Sequence, residues 1–152
     1  MSKGISRRFN GRYDHKLDPK NRVSIPLEWR PSEGDALYLI LSERNGFTGI
    51  KALTETRLDE IEEGVRNEEG LTTKQKNEYM EWLYAACVKT TVNNQGKLLI
   101  PKKMCEQAQL ADKVVLIGGG NAFDLWKPST YEKMDTARKA NITNINDSYG
   151  YV

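Results

Sequence analysis

The chain has 152 residues, is 38% hydrophobic and 29% charged, and carries a net charge of +2. That composition suits a folded globular protein and excludes a wholly disordered one. No apolar run approaches the ~20 residues that span a bilayer. No apolar stretch follows the basic start, so it does not read as a secretory leader, and the expected compartment is the cytosol. Cys87 and Cys105 form no CxxC pair and read as small apolar residues. His15 is the only histidine, so a metal centre or a Ser-His or Cys-His pair would depend on it alone. No cofactor or metal is expected.

Residues 1–8 form a basic extension. Lys3, Arg7, Arg8 and Arg12 make the first dozen residues cationic with no acid among them. A first half, 9–70, follows. It opens on Phe9-Asn10-Gly11-Arg12-Tyr13-Asp14-His15 and continues into Leu17-Asp18-Pro19-Lys20-Asn21-Arg22-Val23-Ser24-Ile25-Pro26. Leu37 to Leu41 reads as a strand, Gly46 to Ile50 as its hairpin return, and Leu53 to Ile61 as a short helix. From Leu58 to Glu69 six acids face Arg66 alone, so the basic charge is concentrated elsewhere.

A linking helix is predicted over 71–87. Thr72 or Thr73 can cap it, and Tyr79, Met80, Leu83, Tyr84 and Cys87 fall on one helical face. With Trp82 they are expected to be buried. The second half, 88–135, begins with Val92-Asn93-Asn94-Gln95-Gly96-Lys97-Leu98-Leu99-Ile100-Pro101. Val114 to Ile117 then reads as a strand, Gly118-Gly119-Gly120-Asn121 as a hairpin turn, and Pro128 to Met134 as a short helix with a Ser129/Glu132 capping box. A phosphate loop would need a helix directly after the glycines, and a β-like run follows instead. The tail, 136–152, is polar and is expected to fray from Asn141.

The two ten-residue segments are the same motif 75 positions apart. Each has an apolar residue, then Asp18 or Asn93, then Asn21 or Gly96, then Arg22 or Lys97, and closes on Ile-Pro. Asn and Gly are the residues that most easily take φ > 0, as a tight turn requires. The following cation is thereby presented where a strand begins. Asp18 or Asn93, four residues earlier, can accept bonds from the turn's own N–H groups or from the cation. Proline ends each strand because it cannot donate to a ladder. A cation on a stiff turn, built twice, suits contact with guanine edges or phosphates. One copy alone would equally be a turn with a surface ion pair.

D-x-x-[GN]-[RK]-x-x-I-P resembles the signature of AbrB-type swapped-hairpin domains, and two copies at this separation resemble the MraZ family. Phe9 to His15 is similar to that family's F-x-G-x-Y-x-H opening. Val114 to Trp126 is similar to its V-V-L-I-G-x-G-N-x-x-x-x-W segment. The resemblance runs from about Phe9 to Met134. It implies an α+β fold, a pseudo-duplicated swapped-hairpin β-barrel with short flanking helices and a linking helix.

It further implies a non-enzymatic, sequence-specific DNA-binding repressor of a division and cell-wall gene cluster. Such a repressor binds short direct repeats as a ring homo-oligomer associated with the nucleoid. The implied contact residues are Lys20, Arg22, Asn94, Lys97 and Arg12, supported by Asp18, Asn21, Asn93 and Gly96. An RNA methyltransferase is a further implied partner. The chain departs from the pattern at Asn93, Lys97 and Asn21, and Asn77 and Glu81 replace arginines on the linking helix. The alternatives are an AbrB-like antitoxin or regulator, against which the duplicated motif argues, and a protein-interaction module. For catalysis, His15, Asp18 and Arg22 could cluster, but nothing completes a site.

Overall fold

The computed structural model describes residues 8–32 and 34–152. Lys3 and Arg7 therefore lie outside the described residues, while Arg8 is exposed. In chain order the elements are β1 (Arg12–Lys16), β2 (Arg22–Ser24), a 3-10 turn (Leu27–Trp29), β3 (Ala36–Arg44), β4 (Phe47–Thr54), α1 (Glu55–Asn67) and α2 (Thr73–Ala86). There follow β5 (Val88–Thr91), β6 (Lys97–Leu99), α3 (Lys102–Gln107), β7 (Lys113–Gly118), β8 (Phe123–Trp126) and α4 (Pro128–Tyr149). The fold is α+β.

The strands form a six-stranded sheet in the order β1-β7-β8-β4-β3-β5 and a two-stranded ribbon, β2-β6. All pairings are antiparallel. The β3–β4 and β7–β8 hairpins are local, and Asn45 and Gly46 both take positive φ at the first turn, as a two-residue hairpin requires. The other pairings cross between halves. β1 pairs with β7, β4 with β8, β5 with β3, and β2 with β6. Each half thus completes its sheet with strands of the other, which is the exchange a swapped hairpin implies.

Alternation along the strands gives the sheet two buried faces. Leu37, Leu39, Ile50, Ala52, Val114, Leu116, Phe123 and Leu125 share one cluster with Val23, Ile25, Leu98 and Ile100. The ribbon therefore closes over this face. Phe9, Tyr13, Trp29 and Phe123 fill its centre as edge-on and tilted ring pairs 5.1–5.7 Å apart. On the opposite face Ile40 and Leu53 pack with Leu58 of α1 and Leu83 of α2. Val115 and Trp126 pack there with Tyr131 and Met134 of α4.

Thr54 caps α1 by accepting the Arg57 N–H at 3.0 Å, and Thr72 with Gln75 forms a full capping box on α2. Burial on α2 differs from the expectation. Leu83 is buried, with Met80, Ala86 and Cys87 packed beside it, so a narrower stripe meets the core. Tyr79, Trp82 and Tyr84 stand 44%, 53% and 49% exposed, and the Tyr84 hydroxyl donates to Glu62 instead of entering the core.

The fourth helix also departs from the reading. Its N-cap is Lys127, with Pro128 at the first position and no side-chain cap, so the Ser129/Glu132 box does not form. Glu132 instead accepts from Arg12 at 2.6 Å. The helix runs through Asn141 to Tyr149 and ends at Gly150, whose left-handed φ of 65° lets its N–H reach Asn146 O. Ile142, Ile145 and Tyr149 continue a helical stripe that the polar composition of the tail hides.

Gly49 lies in β4 against Trp126, and a Cβ there would stand 2.6 Å from the indole ring. Trp126 is wholly buried and cannot retreat. Gly49→Ala should therefore destabilise the fold by about 1–3 kcal/mol through overpacking. Gly64→Ala in α1, where the added methyl meets open space, should leave stability unchanged or raise it by up to about 1 kcal/mol. Urea unfolding of both variants checks this, and an unaffected Gly49→Ala protein would contradict the packing described.

Candidate nucleic-acid interface

The two motif turns have the same hydrogen-bond plan. In the first, Asp18 N–H donates to Arg22 O (2.9 Å) and Asn21 N–H to Asp18 O (3.0 Å). In the second, Asn93 N–H donates to Lys97 O and Gly96 N–H to Asn93 O, both at 2.9 Å. Asp18 Oδ1 accepts from the N–H groups of Lys20 and Arg22 at 2.9 and 2.8 Å. Asn93 Oδ1 accepts from those of Gln95 and Lys97 at 2.9 Å each. An amide oxygen and a carboxylate oxygen do the same backbone work here. Asn21 and Gly96 take φ of 61° and 77°, the left-handed conformation the motif called for.

The turns are also bonded to each other. Ile25 N–H donates to Gly96 O at 2.9 Å, and Ile100 N–H donates to Asn21 O at 2.8 Å. A further pair matches across the repeat. Arg30 Nε donates to Ile25 O at 2.9 Å, and Cys105, 75 positions on, directs Sγ to Ile100 O at 3.9 Å.

Residues opposite each other on the ribbon are Arg22 with Leu99, Val23 with Leu98, and Ser24 with Lys97. Val23 and Leu98 point into the core. Arg22, Ser24, Lys97 and Leu99 therefore share the outer face, and the two motif cations lie diagonally on it. They flank a depression of about 480 Å³ that Lys89 and Asn93 also line. Lys20 sits exposed on the first turn and Asn94 on the second.

Arg12 is not part of this face. It stands at the far end of β1 from the first turn, pairs with Glu132 at 2.6 Å and Asp14 at 3.6 Å, and lies over the Tyr131 ring. Lys89 is the residue the sequence reading missed. It belongs to no motif and reaches the face only because β5 pairs with β3 beside the ribbon.

Arg22 and Lys97 differ in how they are held. Arg22 Nε donates to Asp18 Oδ2 at 2.8 Å, which leaves the two Nη nitrogens without a partner among the described residues. The guanidinium is thus oriented from behind while its outer edge stays open. Asn93 carries an amide NH2 where Asp18 has its second oxygen, and the Lys97 ammonium has no acidic partner among the described residues. The Asp18 carboxyl is held below its ordinary range, first by the Arg22 backbone N–H and then by the Arg22 side chain and the Lys20 N–H. Among the described residues no group of three His, Cys, Asp or Glu is placed to hold a metal, and no helix is long and apolar enough to cross a membrane.

Residues 83–148 match the family model described as "MraZ protein, putative antitoxin-like". A protein of Mycoplasmoides gallisepticum named transcriptional regulator MraZ is 29% identical over 142 residues, covering 91% of this chain and 93% of its own. Proteins of the same name from Oenococcus oeni and Pediococcus pentosaceus are each 28% identical. They cover 90% and 92% of this chain and 93% and 95% of their own. The chain is thus similar to MraZ proteins, through the family model over residues 83–148 and through these relatives over about nine tenths of its length. The segment matching the MraZ model includes the whole second motif, Asn93 to Pro101, and both strands of the β7–β8 hairpin.

Asp18→Asn tests the division of labour between the two carboxylate oxygens. It turns the first motif into the chemistry of the second, so the turn and φ at Asn21 should survive and the fold should melt near the wild-type temperature. Asp18→Ala, which removes Oδ1 as well, should lower the midpoint. A carboxyl with a depressed pKa contributes stability above its unfolded pKa of about 3.9, and loses it as pH falls through the folded value. Any advantage of wild type over Asp18→Asn should therefore shrink below about pH 4. Melting curves from pH 2 to 7 read this out. An advantage that grows on acidification would contradict the assignment.

Proposed function

We propose that the chain is a transcription regulator that binds double-stranded DNA through the outer face of the β2–β6 ribbon. The observation that carries this reading is the shared presentation of Arg22 and Lys97 on two hydrogen-bonded turns, with Lys20 and Lys89 beside them. A two-stranded ribbon is narrow enough to enter a major groove. On this reading Arg22, oriented by Asp18, reads guanine O6 and N7 with its Nη pair. Lys97 and Lys89 hold phosphates, because an ammonium is a point charge without a fork. Asn94, exposed on the second turn, adds a polar contact to the same duplex.

The naming of the relatives as transcriptional regulators supports the class of function. The proposal extends to a nucleoid-associated repressor in the cytoplasm, acting on short direct repeats upstream of a division and cell-wall gene cluster. Direct repeats suit a ring of chains related head to tail, in which successive subunits meet successive repeats. The exposed Tyr79, Trp82 and Tyr84 on α2 supply apolar surface for such a contact.

Titration of repeat-bearing and scrambled duplexes at two salt concentrations tests this reading. Arg22→Ala should lose about 1–3 kcal/mol of discrimination per subunit while sparing affinity for scrambled DNA. Lys97→Ala and Lys89→Ala should weaken both duplexes alike and reduce the salt slope by roughly 0.9 for each phosphate no longer neutralised. Light scattering on the same samples should give an oligomer. Equal loss on both duplexes in Arg22→Ala would contradict base reading, and a stable monomer would contradict the ring.

A further inference from the structure

The sheet face opposite the ribbon carries a second cationic concavity. It lies between β4, α1, the β7–β8 turn and α4, encloses about 400 Å³, and is lined by Arg44, Lys51, Arg57 and Arg138. One carboxylate stands among these four cations, Asp124 of β8, which is 6% exposed. Lys51 and Asp124 are cross-strand partners on β4 and β8, joined at 2.8 Å. Trp126 Nε1 donates to the other Asp124 oxygen at 3.3 Å, and Arg44 stands 4.0 Å from that oxygen. Asp124 is thus matched most closely by Lys51, with Arg44 at the outer limit of an ion pair.

The other acids near these cations lie outside the lining. Arg57 meets Glu60 one turn along α1 at 3.5 Å, and Arg138 meets Asp135 on α4 at 2.9 Å. Arg138 Nη2 also donates to the Tyr131 hydroxyl at 3.1 Å, which fixes the guanidinium at the cleft wall. Arg44, Arg57 and Arg138 come from three different elements and face one hollow. The floor between them is apolar, made by Leu53, Ile61, Ile117 and Ala122.

Like charges brought together in a concave wall raise the local potential and favour an anion between them. The hollow is larger than an inorganic phosphate needs, and its floor can cover a ring. Planar guanidinium groups match phosphoryl oxygens in pairs. We propose that this cleft binds a phosphorylated small molecule of nucleoside diphosphate size. Its phosphates would lie between Arg44, Arg57 and Arg138, and its ring on the apolar floor. The site is separate from the proposed DNA face and occupies the opposite side of the same sheet, so ligand at one can alter the packing on which the other rests. Lys51 belongs to the fold here, since removing it would leave Asp124 buried and unpaired.

Isothermal titration of the full chain with ADP, adenosine and inorganic pyrophosphate tests the proposal. ADP should bind saturably and adenosine at least about tenfold more weakly, and pyrophosphate should compete with ADP. The Arg57→Gln/Arg138→Gln double variant should lose ADP affinity by about tenfold or more while Arg22→Ala keeps it. Arg44→Gln, a single change at an exposed strand end, serves if the double variant melts early, and should lower ADP affinity severalfold. Three results would overturn the proposal. The first is no saturable ADP binding at millimolar concentration. The second is equal ADP binding by all variants. The third is an unchanged ADP isotherm with weakened scrambled-duplex binding or a smaller oligomer, which would make the cleft a DNA clamp or a seat for a neighbouring chain's acidic surface.

Discussion

Two backbone hydrogen bonds hold this structure in its particular form: Ile25 N–H to Gly96 O and Ile100 N–H to Asn21 O. Each joins the strand of one motif to the turn of the other. The carbonyls they use belong to the one residue in each motif with left-handed backbone, so the exchange depends on Asn21 and Gly96 adopting a conformation most residues resist. A Cβ at Gly96 would also meet the Arg30 guanidinium at 2.2 Å, which gives glycine a second reason to be there. With the turns locked together, Val23 and Leu98 are driven inward and Arg22 and Lys97 outward. The proposed binding face and the core are two sides of one ribbon with three residues in each strand.

The strand exchange follows from the same constraint. A chain whose two motifs pair with each other must send β1 to β7 and β5 to β3, because each motif sits at the end of the strand that precedes it. Neither half then has a complete sheet, and local stability cannot be separated from the whole. The sheet's second face is covered by α1, α2 and α4, and there the burial is less even. Leu83 and Met134 are buried while Tyr79, Trp82 and Tyr84 stand half in solvent. A helix that packs by a narrow stripe leaves its remaining apolar residues for another partner.

Much of the candidate site was legible in the sequence because its chemistry is local. Positive φ at position four, an Asx oxygen four residues before a cation, and a terminal proline are each a demand of backbone geometry. Repetition at a constant offset of 75 made the pattern recognisable. Lys89 was not legible, since nothing in its own segment says which strand will lie beside it. Arg12 misled for the opposite reason: its charge and its place near the first motif suggested DNA, but β1 carries it to the far end, where Glu132 and Tyr131 engage it. The tail was read by its polarity, whereas the spacing of Ile142, Ile145 and Tyr149 and the glycine at 150 describe a helix and its stop. The cationic cleft required the fold outright, because its arginines come from segments as distant as residues 44 and 138.

The central claim is that the ribbon's outer face meets the base edges of DNA. A structure of the chain bound to a duplex taken from the DNA upstream of its gene tests it most directly. The account predicts the β2–β6 ribbon in the major groove, with the Arg22 Nη atoms about 2.7–3.2 Å from a guanine's O6 and N7 and the Lys97 and Lys89 ammonium groups on phosphates. A complex in which α1, α2 or α4 contacts the duplex and Arg22 faces solvent would contradict it.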